Sequence, residues 1–570
     1  MNILSVLTQA VSAAFAERGY DASYGAVTVS NRPDLCHFQC NGALPAAKAC
    51  KKNPLAIAGE VAELLQNDDR FASVETAPPG FINLRLSDAY LASLAKAMAA
   101  DERLRLPLME QKTIVIDYGG PNTAKPLHVG HLRSAIIGES LCRLARFLGH
   151  KVVGDIHMGD WGLQMGLVFA EMEARGLGAD DVTADDLTEI YPAASAKAKA
   201  DPAFAEKAAA RTAGLQRGDA ELRALWKKLR DLSVDDQKRS YDILGVSFDY
   251  WYGESDAEPY VPRVMDILRR GGLLRESDGA LVVDVALPED KEPMPPMLIQ
   301  KSNGADIYGT TDLGTLLQRK EDFDPDEIWY VTDNRQSFHF KQLFRCAKLA
   351  GLPGKTECLH LPFGTMNGKD GKPYKTREGG VMRLSDLIET VTENALRKVS
   401  ESDIPMTGEE RAEAARKLGM AALKVGDMQN HRTKDYIFDM ERFLSSEGKT
   451  GPYLQYTAVR IRSVLAKAKD AGFAAGELLP PETDAERDLL LALPLVPDAL
   501  LRAFADKAPS VLCEILFDIA GRFNRFYFEH KVIQCPDGAL RASRLALLEL
   551  TDRVLTALLD ILGVEIPSHM

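Results

Sequence analysis

No stretch of this 570-residue chain approaches the roughly 18 consecutive apolar residues that a membrane span requires, so no membrane partner is expected. The opening twenty residues carry Ile3, Leu4, Leu7, Val11 and Phe15 at helical spacing. They lack a basic start and a cleavage site, and so predict a domain helix and not a signal peptide. The eight cysteines, at 36, 40, 50, 142, 346, 358, 513 and 535, form no CxxC pair. The tightest group, Cys36, Cys40 and Cys50 beside His37, matches no common zinc frame. No structural zinc is therefore expected, and reduced thiols in a cytoplasm are the better reading. Internal repeats and low-complexity stretches are missing too. Positive charge is in deficit: 69 Lys and Arg against 82 Asp and Glu leave a net charge of −13. Taken alone, that balance argues against a nucleic-acid partner. It does not exclude a local basic track, because only the local field meets phosphate.

What is present is ordinary globular composition, 46% hydrophobic and 26% charged, on a chain too long for one core. Residues 1–108 read as a separate α/β module: a helix from Ile3, a strand-like Ala26 to Ser30, a proline-opened helix from Pro54, and a strand after Pro78-Pro79-Gly80. Within a middle region of 109–440, residues from about 110 to 385 alternate apolar strand-like runs with helical ones, the pattern of a doubly wound α/β sheet. The clearest strands there are Ile114–Ile116, Lys151–Val153, Leu281–Val285 and Glu327–Val331. A charged, alanine-rich stretch at about 180–245 interrupts the alternation as a helical insertion. Residues 441–570 read as a helix bundle, with one helix spanning Asp484 to Phe504. Gly472 to Asp484 is the longest candidate for a flexible connector.

The most informative segment follows the first strand of the middle region. Asp117-Tyr118-Gly119-Gly120 leads into Pro121, Asn122, Thr123, Ala124, Lys125, Pro126, Leu127, His128, Val129, Gly130 and His131. A buried strand, a Gly/Pro turn and a helix opening near Val129 make a site for nucleotide phosphates, because the helix end offers unpaired N–H groups and partial positive charge. His128 and His131 add donors one turn apart. Gly130 lets a base or ribose lie against the backbone. Histidines at this spacing are more often satisfied surface or core residues; the surrounding string is what raises the functional reading. His128-Val-Gly-His-Leu-Arg-Ser-Ala-Ile-Ile-Gly138, preceded by Pro-Asn-Thr-Ala-Lys, resembles the HIGH signature of class I aminoacyl-tRNA synthetases, and in this extended form the arginyl-tRNA synthetase subgroup.

The resemblance covers nearly the whole chain. It implies a Rossmann-like class I catalytic sheet between an N-terminal appended tRNA-binding domain and a C-terminal anticodon-binding bundle. The implied substrates are ATP, L-arginine and arginine-accepting tRNA, with Mg²⁺ riding on ATP. The implied chemistry is attack of the amino acid carboxylate on the α-phosphorus, then transfer to the 2′-hydroxyl of the terminal adenosine. A monomer is the family default. No enzyme nucleophile is needed; positioning and charge stabilisation do the work. His128, His131 and Lys125 suit that task.

A second phosphate-handling element is expected in the glycine-rich, basic Met366 to Gly380 loop, which stands where the class I KMSKS loop does. Lys-Pro-Tyr-Lys-Thr-Arg is a degenerate version, so either Lys372 or Lys375 acts, with Lys375 favoured. A guanidinium is best held by carboxylates in bidentate geometry. The candidate acids are Asp117, Glu254 and Asp312, each of which would equally serve as a cap or turn residue. Tyr308 and Asp312 share a helix face. The resemblance further assigns Gln336 to arginine, Asn122 to its α-amino group, and Gly159 to Gln164 to the pocket wall. It makes Lys48, Lys51 and Lys52 candidates for tRNA contact. Tyr453 to Lys469, with four cations and no acid, suits loop RNA or equally an amphipathic core helix.

Overall fold

The computed structural model describes residues 2–302, 307–374, 382–402 and 404–570. The chain forms two compact units. One comprises Glu110–Leu444 with Ile561–Val564; the other comprises Met1–Met109, Ser445–Asp560 and Glu565–Met570.

The first unit is built on a five-stranded sheet. Its strands are β1 (Thr113–Asp117), β2 (Lys151–Met158), β3 (Tyr250–Gly253), β4 (Glu327–Tyr330) and β5 (Glu357–His360), in the order β5-β4-β1-β2-β3. Every pairing is parallel. Parallel strands need crossovers and cover on both faces. Helices α1 (Val129–Phe147), α2 (Leu163–Arg175), α3 (Tyr308–Phe323) and α4 (Ser337–Leu349) flank them. Strand order runs outward in opposite directions from the β1–β4 pair. The crevice at their carboxyl ends is thus the topological switch point, where such sheets bind ligands.

One buried charge cluster locks α3 to that crevice. The ladder sets Asp117 opposite Asp155, and two adjacent carboxylates in the interior would repel. Arg319 of α3 lies between them, with Nη2 2.7 Å from Asp117 Oδ2 and 2.6 Å from Asp155 Oδ2. The guanidinium is fully buried. Asp312 lies two helical turns before Arg319, so anchoring one places the other at the crevice.

The stretch Leu281–Val285, expected within the main sheet, lies elsewhere. Ala280–Val283 pairs antiparallel with Leu274–Ser277 and Met297–Gln300 in a separate three-stranded sheet. The reason is local. Asp278 and Gly279 have φ of 51° and 78°. That two-residue Asp-Gly turn closes a hairpin, which only antiparallel strands can join. The helical insertion comprises Ala184–Ala200, Pro202–Gln216 and Ala220–Ile243.

The second unit holds a four-stranded antiparallel sheet, in the spatial order Val27–Val29, Phe38–Cys40, Phe81–Leu86, Phe71–Ala77. Helices Ile3–Glu17 and Pro54–Leu65 bury Leu7, Val11, Phe15, Ile57 and Val61 in the same core. Asn53 caps the second helix, and Pro54 stands at its first turn, where a missing N–H costs nothing. C-terminal helices belong to the same unit: Arg487 donates from Nε and Nη2 to Asp88 at 2.7 and 3.0 Å. The single helix expected over Asp484–Phe504 is broken into Asp484–Ala492 and Val496–Asp506 by a 3₁₀ turn at Leu493–Leu495. Pro494 and Pro497 remove two amide donors there, which accounts for the break. The connector after Gly472 is held in place, with Leu478 buried and the amides of Gly476 and Leu479 bonded to Ala542 O and Ser543 Oγ. Among the described residues no helix is long and apolar enough to cross a membrane.

Candidate active site

The turn after β1 is zipped to the end of β2. Thr123 N donates to Gly159 O at 2.9 Å, and Gly159 N to Pro121 O at 3.0 Å. A Cβ at Gly159 would lie 2.2 Å from Asn122 Oδ1, so glycine is what lets Asn122 sit there. Ala124 takes φ of 61° and its amide donates to Ser233 Oγ of the helical insertion. Lys125 Nζ rests over the Tyr191 ring, 4.2 Å from its centroid. Ser134 bridges α1 to the switch point, accepting from Gly119 N at 2.8 Å and donating to Val331 O at 2.6 Å.

The helix tip fixes the state of both histidines. His128 is the N-cap of α1, and its Nδ1 accepts the Gly130 amide at 3.0 Å. His131 Nδ1 accepts the His128 amide at 3.0 Å. Each imidazole therefore keeps its proton on Nε2, the nitrogen free to meet a ligand. Burial pushes both rings toward the neutral form, with His131 down to about 3 and Lys125 opposing protonation of both. The rings lie 4.0 Å apart at 32°. A Cβ on Gly130 would come within 2.7 Å of His128 Cε1, so this glycine also makes room for the ring beside it.

The segment Met382–Leu384 meets this tip. Val129 N donates to Met382 O at 3.1 Å and Leu384 N to Leu127 O at 2.9 Å, an antiparallel bridge centred on His128 and Arg383. Of the expected loop cations, Lys372 is exposed on the hairpin where Gly368 N donates to Lys372 O, and Lys369 Nζ faces Asp439 at 3.5 Å. Lys375 and Arg377 lie outside the described residues.

A cavity of about 590 Å³ opens at the switch point, lined among others by His128, His131, Glu254, Asp312, Gln336 and His339. A second, of about 750 Å³, shares Asn122, Glu254, Tyr308 and His339 with it. Tyr308 and Asp312 occupy the first turns of α3, and Gln336 is exposed just before α4. Burial pushes the Glu254 carboxyl up to about 7, against the pull of His157 and with Asp312 and Asp160 acting the same way. All three expected acids, Asp117, Glu254 and Asp312, line this cavity, and one oxygen of Asp117 is also committed to Arg319. Trp161, Leu163 and Gln164 line the second cavity; Asp160 instead accepts from Arg230 Nε at 2.9 Å and Ser255 Oγ at 2.7 Å beneath it. Sequence reasoning missed His339, which donates to Asp312 Oδ2 at 2.6 Å, and His157, whose Nε2 is 3.7 Å from Asp312 Oδ1. His339 stands one turn past Gln336, and that spacing was the available signal.

The model of the class I (R) tRNA synthetase catalytic domain matches residues 93–440, more than half of the chain. Models of the arginyl-tRNA synthetase N-terminal domain and of the DALR anticodon-binding domain match residues 1–86 and 454–570. This chain belongs to the arginyl-tRNA synthetase family. It is 46% identical to the arginine–tRNA ligase of Alkaliphilus oremlandii, with 100% of both chains covered. Its identity to that of Hyphomonas neptunium is likewise 46%, over 99% of each. The solved arginyl-tRNA synthetase of Thermus thermophilus shares the fold, with a TM-score of 0.81 at 24% identity and full coverage of both chains. The family is one of class I synthetases, which use ATP. Within this synthetase chain, the N-terminal module exposes Lys48, Lys51 and Lys52, the last donating to Tyr20 Oη at 2.9 Å. The anticodon-type bundle presents Arg460 between the rings of Tyr456 and Tyr527, at 4.4 and 5.0 Å, with Phe528 87% exposed nearby in the chain.

Proposed function

We propose that this chain joins L-arginine to the 3′ end of its cognate tRNA through an arginyl-adenylate, releasing AMP and pyrophosphate. The observation that carries the reading is the pair of Nε2–H donors at the α1 tip sharing one cavity with Asp312 and Glu254. Anionic phosphates and a guanidinium demand opposite charges, and this cavity offers donors at one end and acids at the other. Arginine lies with its guanidinium toward Asp312, Glu254, Tyr308 and Gln336 and its α-amino group toward Asn122. Asp117 shapes the pocket through Arg319. ATP enters with Mg²⁺ and lies along Gly130, so that its α-phosphoryl oxygens meet His128 and His131. Lys125, together with Lys372 or Lys375, holds the departing pyrophosphate as point charges. Neutral imidazoles suit this role, since they donate hydrogen bonds without a net charge that would need screening once pyrophosphate leaves.

The tRNA spans residues 1–108 through the exposed lysines and residues 441–570 through the Arg460 aromatic patch, while residues 109–440 do the chemistry. The protein works as a monomer in the cytoplasm and activates arginine only with tRNA present. Pyrophosphate exchange across all amino acids, with and without tRNA, tests the reading. Exchange driven by lysine or cysteine, with none for arginine plus tRNA, ends it. His131→Ala is expected to lose about 2–4 kcal/mol of transition-state stabilisation, the size of one oxyanion donor. Asp312→Ala raises the arginine requirement far more than the ATP requirement.

A further inference from the structure

Asp312 is held from both sides. His339 Nε2 donates to Oδ2 at 2.6 Å, and His157 Nε2 stands 3.7 Å from Oδ1. The two histidines come from different elements: His339 from α4 and His157 from the end of β2. The His339 ring is itself fixed, packing edge-on to Tyr308 at 5.0 Å and to Phe340 at 5.3 Å. His157 is the unusual partner. Neither of its ring nitrogens, both buried, has a hydrogen-bond partner among the described residues. A buried polar group normally has a partner, whether protein, water or a bound molecule, and His157 lines the switch-point cavity, where a substrate can reach it.

An ionised carboxylate accepts at about four lone-pair positions, two on each oxygen. An imidazole on the outer lone pair of each oxygen leaves the two inner ones, which lie side by side in the carboxylate plane. Two parallel acceptors in a plane match the guanidinium fork and are of no special use to an ammonium, which is a point charge. We infer that His339 and His157 are positioning residues that clamp the plane of the Asp312 carboxylate and so select a guanidinium over an ammonium. His339 makes its half of the clamp in the free protein. His157 completes the other half when arginine draws Asp312 Oδ1 into hydrogen-bond range. The inference rests on the reading of Asp312 as an arginine-pocket acid.

Kinetics of the full chain with tRNA test it, using arginine KM, ATP KM and the inhibition constant of lysine as a competing ammonium. His339→Leu and His157→Leu are each expected to raise arginine KM about ten-fold, the size of one hydrogen bond to a charged group. ATP KM stays within two-fold, and lysine inhibition moves much less than arginine KM. His339→Gln, which returns an amide donor at the position of Nε2, restores most of the loss; a merely structural role for the ring gives no such rescue. Equal rises in the arginine and ATP values, or an arginine KM unchanged in both leucine variants, overturn the clamp. So does an arginine-to-lysine ratio that does not move. Should a leucine variant fail to fold, Asn against Gln at that same position supplies the comparison, since Asn lacks the reach of Nε2 and Gln has it. Asp312→Ala runs alongside. If it raises arginine KM while the histidine variants do nothing, the clamp alone fails; if it too leaves arginine KM untouched, the pocket assignment falls and the clamp with it.

Discussion

The backbone amide of His128 donates to Nδ1 of His131 at 3.0 Å, and that bond decides which nitrogen of His131 carries the proton. An acceptor Nδ1 leaves Nε2 as the donor in a neutral ring. Nitrogen-detected NMR of histidine-labelled protein should find both His128 and His131 as the Nε2–H tautomer at pH 7. His131 should hold that state down to about pH 4, because burial holds it at about 3. With the folded pKa below the ordinary 6.5, the unfolded chain binds the extra proton between those values, so this residue's contribution to stability is lost as pH falls below 6.5. Titration of His131 near pH 6.5 would refute the assignment.

Gly130→Ala tests the packing of the same tip. The added methyl would meet His128 Cε1 at 2.7 Å, and the ring must turn away. Exchange activity is expected to fall by about one order of magnitude or more, in keeping with the sensitivity of positioning catalysis to displacements near 1 Å. Thermal stability should change little, because alanine favours a helix over glycine by about 1 kcal/mol and offsets the lost cap contact. Wild-type turnover in this variant would show that the His128 ring position is irrelevant.

Arginine binding should release protons near neutral pH. Burial holds Glu254 up at about 7, so the free pocket is partly protonated there. A bound guanidinium favours the carboxylate and expels the proton. Arginine affinity is expected to rise as pH climbs through 7 and level off above it, with the steepest possible slope about ten-fold per pH unit. In the free protein the same group acts oppositely on stability: its raised value means that stability is lost as pH rises from about 4.5 through about 7. Calorimetry in two buffers of different ionisation enthalpy measures the proton count. Glu254→Gln should abolish it, and an identical count in the variant would locate the proton elsewhere.

Arg319→Met leaves Asp117 and Asp155 facing each other without a cation. Both oxygens now bonded to Arg319 are buried, so the expected loss of stability is about 3–5 kcal/mol. Denaturant titration checks it. Adding Asp155→Asn to the variant should recover part of the loss, because it removes one of the two unpaired charges. A melting curve equal to wild type for Arg319→Met would mean that the cluster does not hold α3.

Some of the active site is readable from residue order alone. Tyr308 and Asp312 are four apart, so any helix through them puts both on one face, and α3 does. His128 and His131 are three apart at the opening of an apolar helix, and α1 begins at Val129. The strand before that segment, β1, is a continuous β-branched run from Thr113 to Ile116, legible because a parallel strand is buried on both faces. Other features resisted. The Leu281–Val285 run has the same apolar signature as β1, and only the Asp278-Gly279 turn before it discloses a hairpin. The helix expected across Asp484–Phe504 has the right periodicity, but Pro494 and Pro497 override it with a 3₁₀ turn. The Gly472–Asp484 connector looks loose by composition, yet the amides of Gly476 and Leu479 are bonded to Ala542 and Ser543 of a distant helix.

By itself the sequence determined the local geometry: a phosphate-type helix tip, an acid and a tyrosine on one helical face, parallel strands between helices, and the family to which the chain belongs. The geometric features follow from periodicities of two and 3.6 residues and from glycine and proline chemistry, all of which act over a few neighbouring positions; the family follows from likeness to known synthetases. Tertiary structure alone decided that both imidazoles expose Nε2, that Arg319 occupies Asp117, that His339 and His157 flank Asp312, and that Glu254 holds its proton near neutrality. Each of these depends on burial and on hydrogen bonds between groups tens to hundreds of residues apart, and the energy of such contacts is set by distance in space, of which order along the chain carries no record.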